Sequence, residues 1–207
     1  MTRGGRTISS QLIQRRDEIR CKLQSLDPEA VARKSNARLE GNAFHLQLLK
    51  TEYLITLPGY EIQALFDHSR NYLEVLILDY LLQAEEVESN QWISFREIPH
   101  GEFYSQNFKK TTEAKLTQKF QGRMEMFEQA GADFGAEPIS LGDAGFSFQV
   151  LPRFAIALVF WDGGEEFRDK VNLLFEESAG NCLPTEGLAI LGRELCSEFI
   201  RTAEEKE

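Results

Sequence analysis

The sequence predicts an α+β fold, a single domain in which helices pack against a mostly antiparallel sheet. Apolar residues recur at helical spacing near both ends and in the middle of the 207-residue chain, and short strand-like runs lie between them. No repeat or Pro-rich, Gly/Ser-rich linker divides the chain. We therefore expect one α+β domain over residues 8–203, a flexible start at residues 1–7 and a flexible acidic end at residues 204–207.

Two helices are predicted in the amino-terminal part. The apolar face of the first consists of Ile8, Leu12, Ile19, Leu23 and Leu26. The second begins at Asp27-Pro28-Glu29, because Asp is a favoured N-cap and proline lacks the N–H that a first helical turn leaves unpaired. We expect this second helix to end near Lys34.

A hairpin and a buried helix are expected next. Residues 43–57 are rich in Leu, Phe, Tyr, Ile and Thr and end at Pro58-Gly59, which indicates two antiparallel strands and a turn. Residues 61–65 are a candidate third strand. Residues 72–82 are apolar nearly all round, which is typical of a helix that is buried on most sides.

The following segment predicts one strand and then helices. Residues 92–97 alternate imperfectly between apolar and polar side chains, which indicates a short strand. Residues 103–130 predict two helical pieces that divide near Gln106-Asn107. We expect the second piece to stop at Gly131.

The last third of the chain predicts strands and a closing helix. The strands are expected at residues 138–141, 145–150, 154–161 and 171–175. The third run is continuously apolar, so we expect a central strand that is covered on both faces, with Trp161 sheltered as well. Pro184 at N1 and Glu186 at N3 predict the start of the final helix.

Composition excludes several classes of protein. With 23 Lys and Arg against 33 Asp and Glu, the net charge of −10 opposes nucleic-acid binding. The longest apolar run has eight residues, too short to span a membrane, and no signal-peptide core follows the basic start. Three cysteines without a CxxC pair indicate neither a disulfide framework nor a cysteine zinc site. We expect a cytoplasmic protein without nucleic-acid or membrane partners.

Charge is unevenly distributed along the chain. Residues 1–38 are predominantly basic and residues 161–207 are predominantly acidic. Two solvated helical faces explain this distribution. The alternative is an adaptor whose charged ends bind a protein partner or a second copy of the chain as a homo-oligomer.

Several motifs in the second half of the chain are distinctive. They are Trp92-Ile93-Ser94-Phe95-Arg96-Glu97-Ile98-Pro99, Phe103-Tyr104, Leu151-Pro152-Arg153, Phe160-Trp161-Asp162-Gly163-Gly164-Glu165-Glu166-Phe167 and Leu183-Pro184-Thr185-Glu186. Together they resemble the prokaryotic family called domain of unknown function 3786, which has no established activity. Some members carry an iron–sulfur domain like that of corrinoid methyl carriers. The resemblance therefore suggests a corrinoid or other tetrapyrrole ligand by analogy of architecture, although this chain has too few cysteines for such a cluster.

One candidate site is the acidic turn, defined as Asp162, Glu165 and Glu166 around a Gly-Gly pair. Crowded carboxylates can raise each other's proton affinity or hold a hard cation through oxygen ligands. The alternative is an ordinary hairpin turn, in which Asp shapes the backbone and the two glutamates keep the tip solvated.

A second candidate site consists of Arg96, Glu97 and His100, beside a turn after a strand. These side chains could work as an acid, a base or an anion clamp. The alternative is that Arg96 pairs with Glu97 and that His100 is a donor within the turn.

Other reactive residues lack partners in the sequence. His45 and His68 have no second ligand at helical spacing, and Cys182 has no evident histidine partner, which favours a structural thiol. Eight aromatic residues could line a flat cofactor pocket or form plain core. They are Phe44, Tyr53, Tyr60, Trp92, Phe103, Tyr104, Phe160 and Trp161.

The leading hypothesis is a non-catalytic binding module for a small molecule or cofactor. Its expected ligand-binding residues are Trp92, Arg96, Glu97, His100, Trp161, Asp162, Glu165 and Glu166. In this hypothesis Arg96 and the acidic turn face one shared pocket, because both lie at strand ends. The alternatives are the adaptor and an enzyme that uses Arg96 or His100 with the acidic turn in acid/base or metal-assisted chemistry. No GxSxG, P-loop, GxGxxG or HExxH motif identifies a catalytic residue or a metal ligand.

Overall fold

The structure, a computed structural model, describes residues 4–64, 71–87, 89 and 91–205. Two compact units each contain one antiparallel sheet. The amino-terminal unit consists of Met1–Val87, Leu151–Arg153 and Asn181–Leu183, and the carboxy-terminal unit of Glu88–Val150, Phe154–Gly180 and Pro184–Glu207. The predicted α+β class with antiparallel strands is confirmed, although the strands form two sheets where the sequence suggested one.

Three helices and a four-stranded sheet form the amino-terminal unit. The helices are α1 (Gly4–Gln24), α2 (Pro28–Ser35) and α3 (Asn71–Gln83). The strands are β1 (Arg38–Glu40), β2 (Ala43–Leu48), β3 (Thr51–Thr56) and β4 (Glu61–Ala64), in the order β1-β2-β3-β4. The predicted hairpin and third strand are confirmed, and Leu65 lies outside the described residues. The flexibility expected at residues 1–7 and 204–207 stays a prediction, and residues 1–3, 206 and 207 are not described.

Helix α3 is the buried helix that the sequence predicts. Tyr80 is fully buried, and its hydroxyl donates to the backbone carbonyl of Ser35 at 2.6 Å. Asp79, which is 5% exposed, accepts hydrogen bonds from the guanidinium of Arg15 on α1, with the shortest N–O distance at 2.9 Å. An ion pair therefore satisfies the buried carboxylate of this otherwise apolar helix.

Both ends of α2 have side-chain caps. Asp27 accepts hydrogen bonds from two backbone N–H groups of the first turn, as the sequence predicts. At the other end, the guanidinium of Arg153 donates to the carbonyls of Arg33 and Lys34. A cation at this position also compensates the negative end of the helix dipole. The Leu-Pro-Arg motif thus has a structural role within the amino-terminal unit.

Four helices and a five-stranded sheet form the carboxy-terminal unit. The helices are α4 (Gly101–Thr111), α5 (Glu113–Phe120), α6 (Met124–Phe134) and α7 (Thr185–Glu204). The strands are β5 (Trp92–Ser94), β6 (Glu137–Pro138), β7 (Ala144–Leu151), β8 (Phe154–Trp161) and β9 (Lys170–Glu176), in the order β5-β9-β8-β7-β6. The prediction that β8 is the central strand is confirmed.

The helical segment divides differently from the prediction. The expected break near residues 106–107 is wrong, because both residues lie inside α4. The break occurs at Thr112, which leaves helical geometry with φ −125° and ψ −86°, and its hydroxyl donates to the carbonyl of Phe108 at 2.6 Å. A threonine hydroxyl that competes for the backbone carbonyl favours such a break.

The end of α6 also differs from the prediction. Gly131 lies within the helix, where a Cβ would approach the ring of Phe146 to 2.5 Å. The helix ends instead at Gly135, whose φ of +81° is the left-handed conformation that glycine adopts readily. At the start of α7, Pro184 occupies the N-cap, one position before the predicted N1.

Phenylalanine rings form the core of the carboxy-terminal unit. The ring of Phe127 lies 5.3 to 5.8 Å, between centroids, from those of Phe120, Phe146, Phe160 and Phe199. These rings come from two helices besides α6 and from two strands, so Phe127 links the helices to the sheet. Each offset or edge-to-face pair adds to the apolar burial.

Burial along β8 ends one residue earlier than predicted. All side chains from Phe154 to Phe160 are buried, but Trp161 is 45% exposed. Trp161 is the last residue of the strand and pairs with Lys170, the first residue of β9, so it lies at the end of the sheet. The prediction that Trp161 is sheltered is therefore wrong.

Replacing Phe160 with alanine is expected to lower the free energy of unfolding by about 3–5 kcal/mol, through lost burial and a cavity. The matched change at Trp161 is expected to cost less than about 2 kcal/mol, because much of that ring is already hydrated. Urea denaturation of both variants measures the difference. Equal losses would contradict the assigned end of the buried strand.

Candidate functional site

The turn between β5 and α4 is tightly packed. The ring of Phe95 stacks on that of Phe108 on α4, with centroids 4.0 Å apart. Gly101 begins α4 against the same residue, and a Cβ there would lie 1.9 Å from the carbonyl oxygen of Phe95. Only glycine permits this approach. These contacts fix the backbone on both sides of Arg96.

Hydrogen bonds hold the same turn. A carboxylate oxygen of Glu97 accepts from the backbone N–H and the hydroxyl of Ser94, at 2.8 and 2.7 Å, and these bonds lower the pKa of Glu97. The hydroxyl of Thr185, at the start of α7, donates to the carbonyl of Pro99 at 2.6 Å. The sequence alternative in which Glu97 pairs with Arg96 is not observed.

Arg96 is exposed and borders a cavity of about 630 Å³, here called the first cavity. Its lining residues are Arg96, Glu102, Phe103, Ser105, Gln106 and Lys109. In the part of the chain that the structure describes, the side chains of Arg96 and Lys109 have no hydrogen-bond or ion-pair partner. Both cations are therefore free to bind a ligand.

One face of α4 forms most of the first cavity. Glu102, Ser105, Gln106 and Lys109 are three or four residues apart, so they lie on the same side of the helix. Phe103, which is 77% exposed, adds an apolar surface beside them. The cavity thus combines two cations, one carboxylate, two neutral polar side chains and one aromatic ring.

Two other predicted ligand-binding residues lie close in sequence but do not line the first cavity. His100 is exposed at the N-cap of α4, with φ +64°, and its side chain makes no capping hydrogen bond. Trp92 is half-buried in β5, where it pairs with Glu176. The apolar wall expected from a tryptophan comes instead from Phe103.

Three aspartates organise the backbone of the acidic turn. The N–H of Asp162 donates to Asp143 at 2.7 Å, and the N–H of Gly164 donates to the carboxylate of Asp162 at 2.8 Å. The N–H of Gly163 donates to Asp169 at 3.0 Å. Asp162 therefore shapes the turn, as the hairpin alternative in the sequence predicts.

Asp169 also links two loops. Its second carboxylate oxygen accepts from the N–H of Gly122, between α5 and α6, at 2.6 Å. The hydrogen bonds from Gly122 and Gly163 lower the pKa of Asp169, whose side chain is buried. Sequence reasoning missed this residue, because its role depends on a loop that is 47 residues away.

The remaining residues of the acidic turn are solvated. Glu165 and Glu166 are exposed, and neither has a hydrogen-bond or ion-pair partner among the residues described. No residue of the acidic turn is among those that line the first cavity. The structure thus does not bring Arg96 and the acidic turn together in this cavity.

The structure offers no metal centre within residues 4–64, 71–87, 89 and 91–205, where no group of three His, Cys, Asp or Glu could hold an ion. His45 does lie near Glu40 and Glu52, with N–O distances of 3.6 and 3.5 Å. These contacts run between strands, so a search at helical spacing missed them. His68 lies outside the described residues.

Most of the other candidates belong to the protein interior, whereas Tyr104 is 50% exposed. Cys182 is buried, and its sulfur lies 3.9 Å from the carbonyl of Glu85. Phe44 stacks on Tyr60 at 5.9 Å, and Tyr53 is also buried. Together with Phe160, these aromatic residues are core, and of the eight candidates only Phe103 lines the first cavity.

Comparison with known proteins identifies the family of the chain. The chain matches the family described as "Domain of unknown function (DUF3786)" over residues 27–198. No curated protein and no solved structure matches it. Among the helices described, none is long and apolar enough to cross a membrane.

Replacing Asp169 with asparagine is expected to destabilise the protein most at neutral pH. The lowered pKa of Asp169 stabilises the fold fully above the unfolded-state pKa of about 3.9, and this stabilisation is lost as pH falls through the folded-state pKa. The melting-temperature difference from the wild type should therefore narrow below about pH 4. Glu165→Gln is the control, and a difference for Asp169→Asn that is independent of pH would contradict the role of its charge.

Proposed function

We propose that the chain, which belongs to the DUF3786 family, is a non-catalytic binding module for an anionic small molecule or cofactor in the first cavity. The observation that carries this proposal is the guanidinium of Arg96, which borders a cavity of about 630 Å³ and has no partner in the described chain. A volume of this size is typical of small-molecule sites.

The chemistry of the cavity favours a carboxylate or phosphate ligand. Arg96 presents a planar fork of donors that matches both groups, and Lys109 adds a second cation. The stacked Phe95 and the packed Gly101 hold the backbone at Arg96, so little ordering is needed on binding. Phe103 offers its ring to an apolar or aromatic part of the ligand.

A corrinoid or other tetrapyrrole with carboxylate side chains is one such ligand, which the family resemblance suggests. The proposal places the protein in the cytoplasm, which is supported by three cysteines that form no disulfide. The enzyme and adaptor hypotheses, with a protein partner or a homo-oligomer, stay predictions, as does the expected absence of nucleic-acid and membrane partners.

Native mass spectrometry of the purified full chain tests the proposal directly. We expect a non-covalent adduct of small-molecule mass that is lost in Arg96→Gln and kept in Arg193→Gln. Visible absorption of the same sample identifies a tetrapyrrole. An adduct that persists in Arg96→Gln would place the ligand elsewhere.

Titration with inorganic phosphate and with succinate gives a second test. Arg96→Gln is expected to weaken binding of the better probe about tenfold or more, because a charge-assisted hydrogen bond contributes about 1.5–3 kcal/mol. Arg193→Gln is a matched control, since Arg193 lies on α7 and lines neither described cavity. Isothermal titration calorimetry at constant ionic strength measures the affinity of both variants for the probe. The same loss in both variants would indicate only a general charge effect.

A further inference from the structure

A second cavity adjoins the first. It has a volume of about 920 Å³, and its lining residues are Lys109, Lys110, Glu113, Ala114, Thr117, Gln118, Gln121, Arg168, Lys170, Val171 and Asn172. Lys109 lines both cavities, which therefore meet at this side chain at the end of α4.

The second cavity is basic in an acidic protein. Four cations line it against one carboxylate, although the chain as a whole has a net charge of −10. Lys110, Arg168 and Lys170 are exposed and, within the described chain, their side chains have no ion-pair or hydrogen-bond partner. Since carboxylates outnumber cations in the sequence, a group of unpaired cations is a specific feature of this surface.

The single carboxylate of the second cavity is already engaged. Glu113 accepts a hydrogen bond from the N–H of Leu173 at 3.1 Å, and Thr117 accepts one from Val171 at 2.9 Å. Both bonds fix α5 against β9, so the wall of this cavity is held in place. The cations around it are left to attract an anion from solution.

We propose that the two cavities together bind one elongated ligand with at least two separate anionic groups. One group lies at Arg96 and Lys109, and the second lies at Lys110, Arg168 and Lys170. This inference rests on the proposed function and adds a second anionic subsite to it. The second cavity has cations and amides but no aromatic wall, which favours a phosphate or carboxylate group over a stacked base.

A series of linear anions tests this arrangement. Orthophosphate, pyrophosphate and tripolyphosphate are titrated into the full chain at constant ionic strength, with citrate as the carboxylate counterpart. Tripolyphosphate is expected to bind at least about tenfold more tightly than orthophosphate, since each added charge-assisted contact contributes about one decade or more. Tighter binding of citrate than of tripolyphosphate would identify a polycarboxylate as the ligand class.

The double variant Lys110→Gln, Lys170→Gln separates the two subsites. It is expected to lose the gain from chain length, while the orthophosphate binding that remains still depends on Arg96. The double variant Lys115→Gln, Arg193→Gln removes the same charge from this unit at positions outside both cavities, and it is expected to keep the gain. Circular dichroism checks that both variants fold.

The outcomes distinguish this inference from the proposed function. Orthophosphate binding that depends on Arg96, without a gain for longer anions, would overturn the second subsite and leave the proposed function standing. A gain that both double variants lose equally would also overturn it, as a general charge effect. Binding of oligoglutamate or an oligonucleotide with no binding of any small anion would overturn both proposals, in favour of a macromolecular surface.

Discussion

The part of β9 that extends past β5 is the constraint on which the second cavity depends. β9 has seven residues but pairs with only three of β5, so the N–H groups of Val171 and Leu173 need other acceptors. Four residues along a helix advance about 6 Å and two along a strand about 6.6 Å, so Glu113 and Thr117 of α5 match these alternate N–H groups. The helix thus takes the place of a missing strand, and its position sets the wall of the second cavity.

The distinctive motifs of the chain mainly build turns and caps. Glu97 and Asp162 accept backbone N–H groups, Arg153 caps α2, and Thr185 holds the carbonyl of Pro99. Each satisfies a backbone group that would otherwise lose its hydrogen bond on folding. The same turns position residues that face solvent. An exposed arginine that binds a ligand requires such a rigid turn.

Most patterns that depend on local sequence were predicted correctly, apart from the break at Thr112 and the end of α6, whereas contacts between distant residues were not predicted. The Asp27 cap and the central position of β8 follow from neighbouring residues. The break at Thr112 is a local hydroxyl–carbonyl bond in a sequence that is otherwise helical throughout. Arg96 was recognised as a candidate because it follows a strand. The polar face of α4 that completes the cavity resembles any solvated helix face, so only the packing of α4 against the turn after β5 identifies it.

Both tryptophans of the chain belong to the carboxy-terminal unit, one half-buried in β5 and the other at the exposed end of β8. Intrinsic fluorescence excited at the indole band is therefore a built-in reporter for one unit and is silent for the other. Far-ultraviolet dichroism reports both. Denaturation curves from fluorescence and from dichroism coincide if the two units unfold cooperatively, and they separate if each unit unfolds by itself.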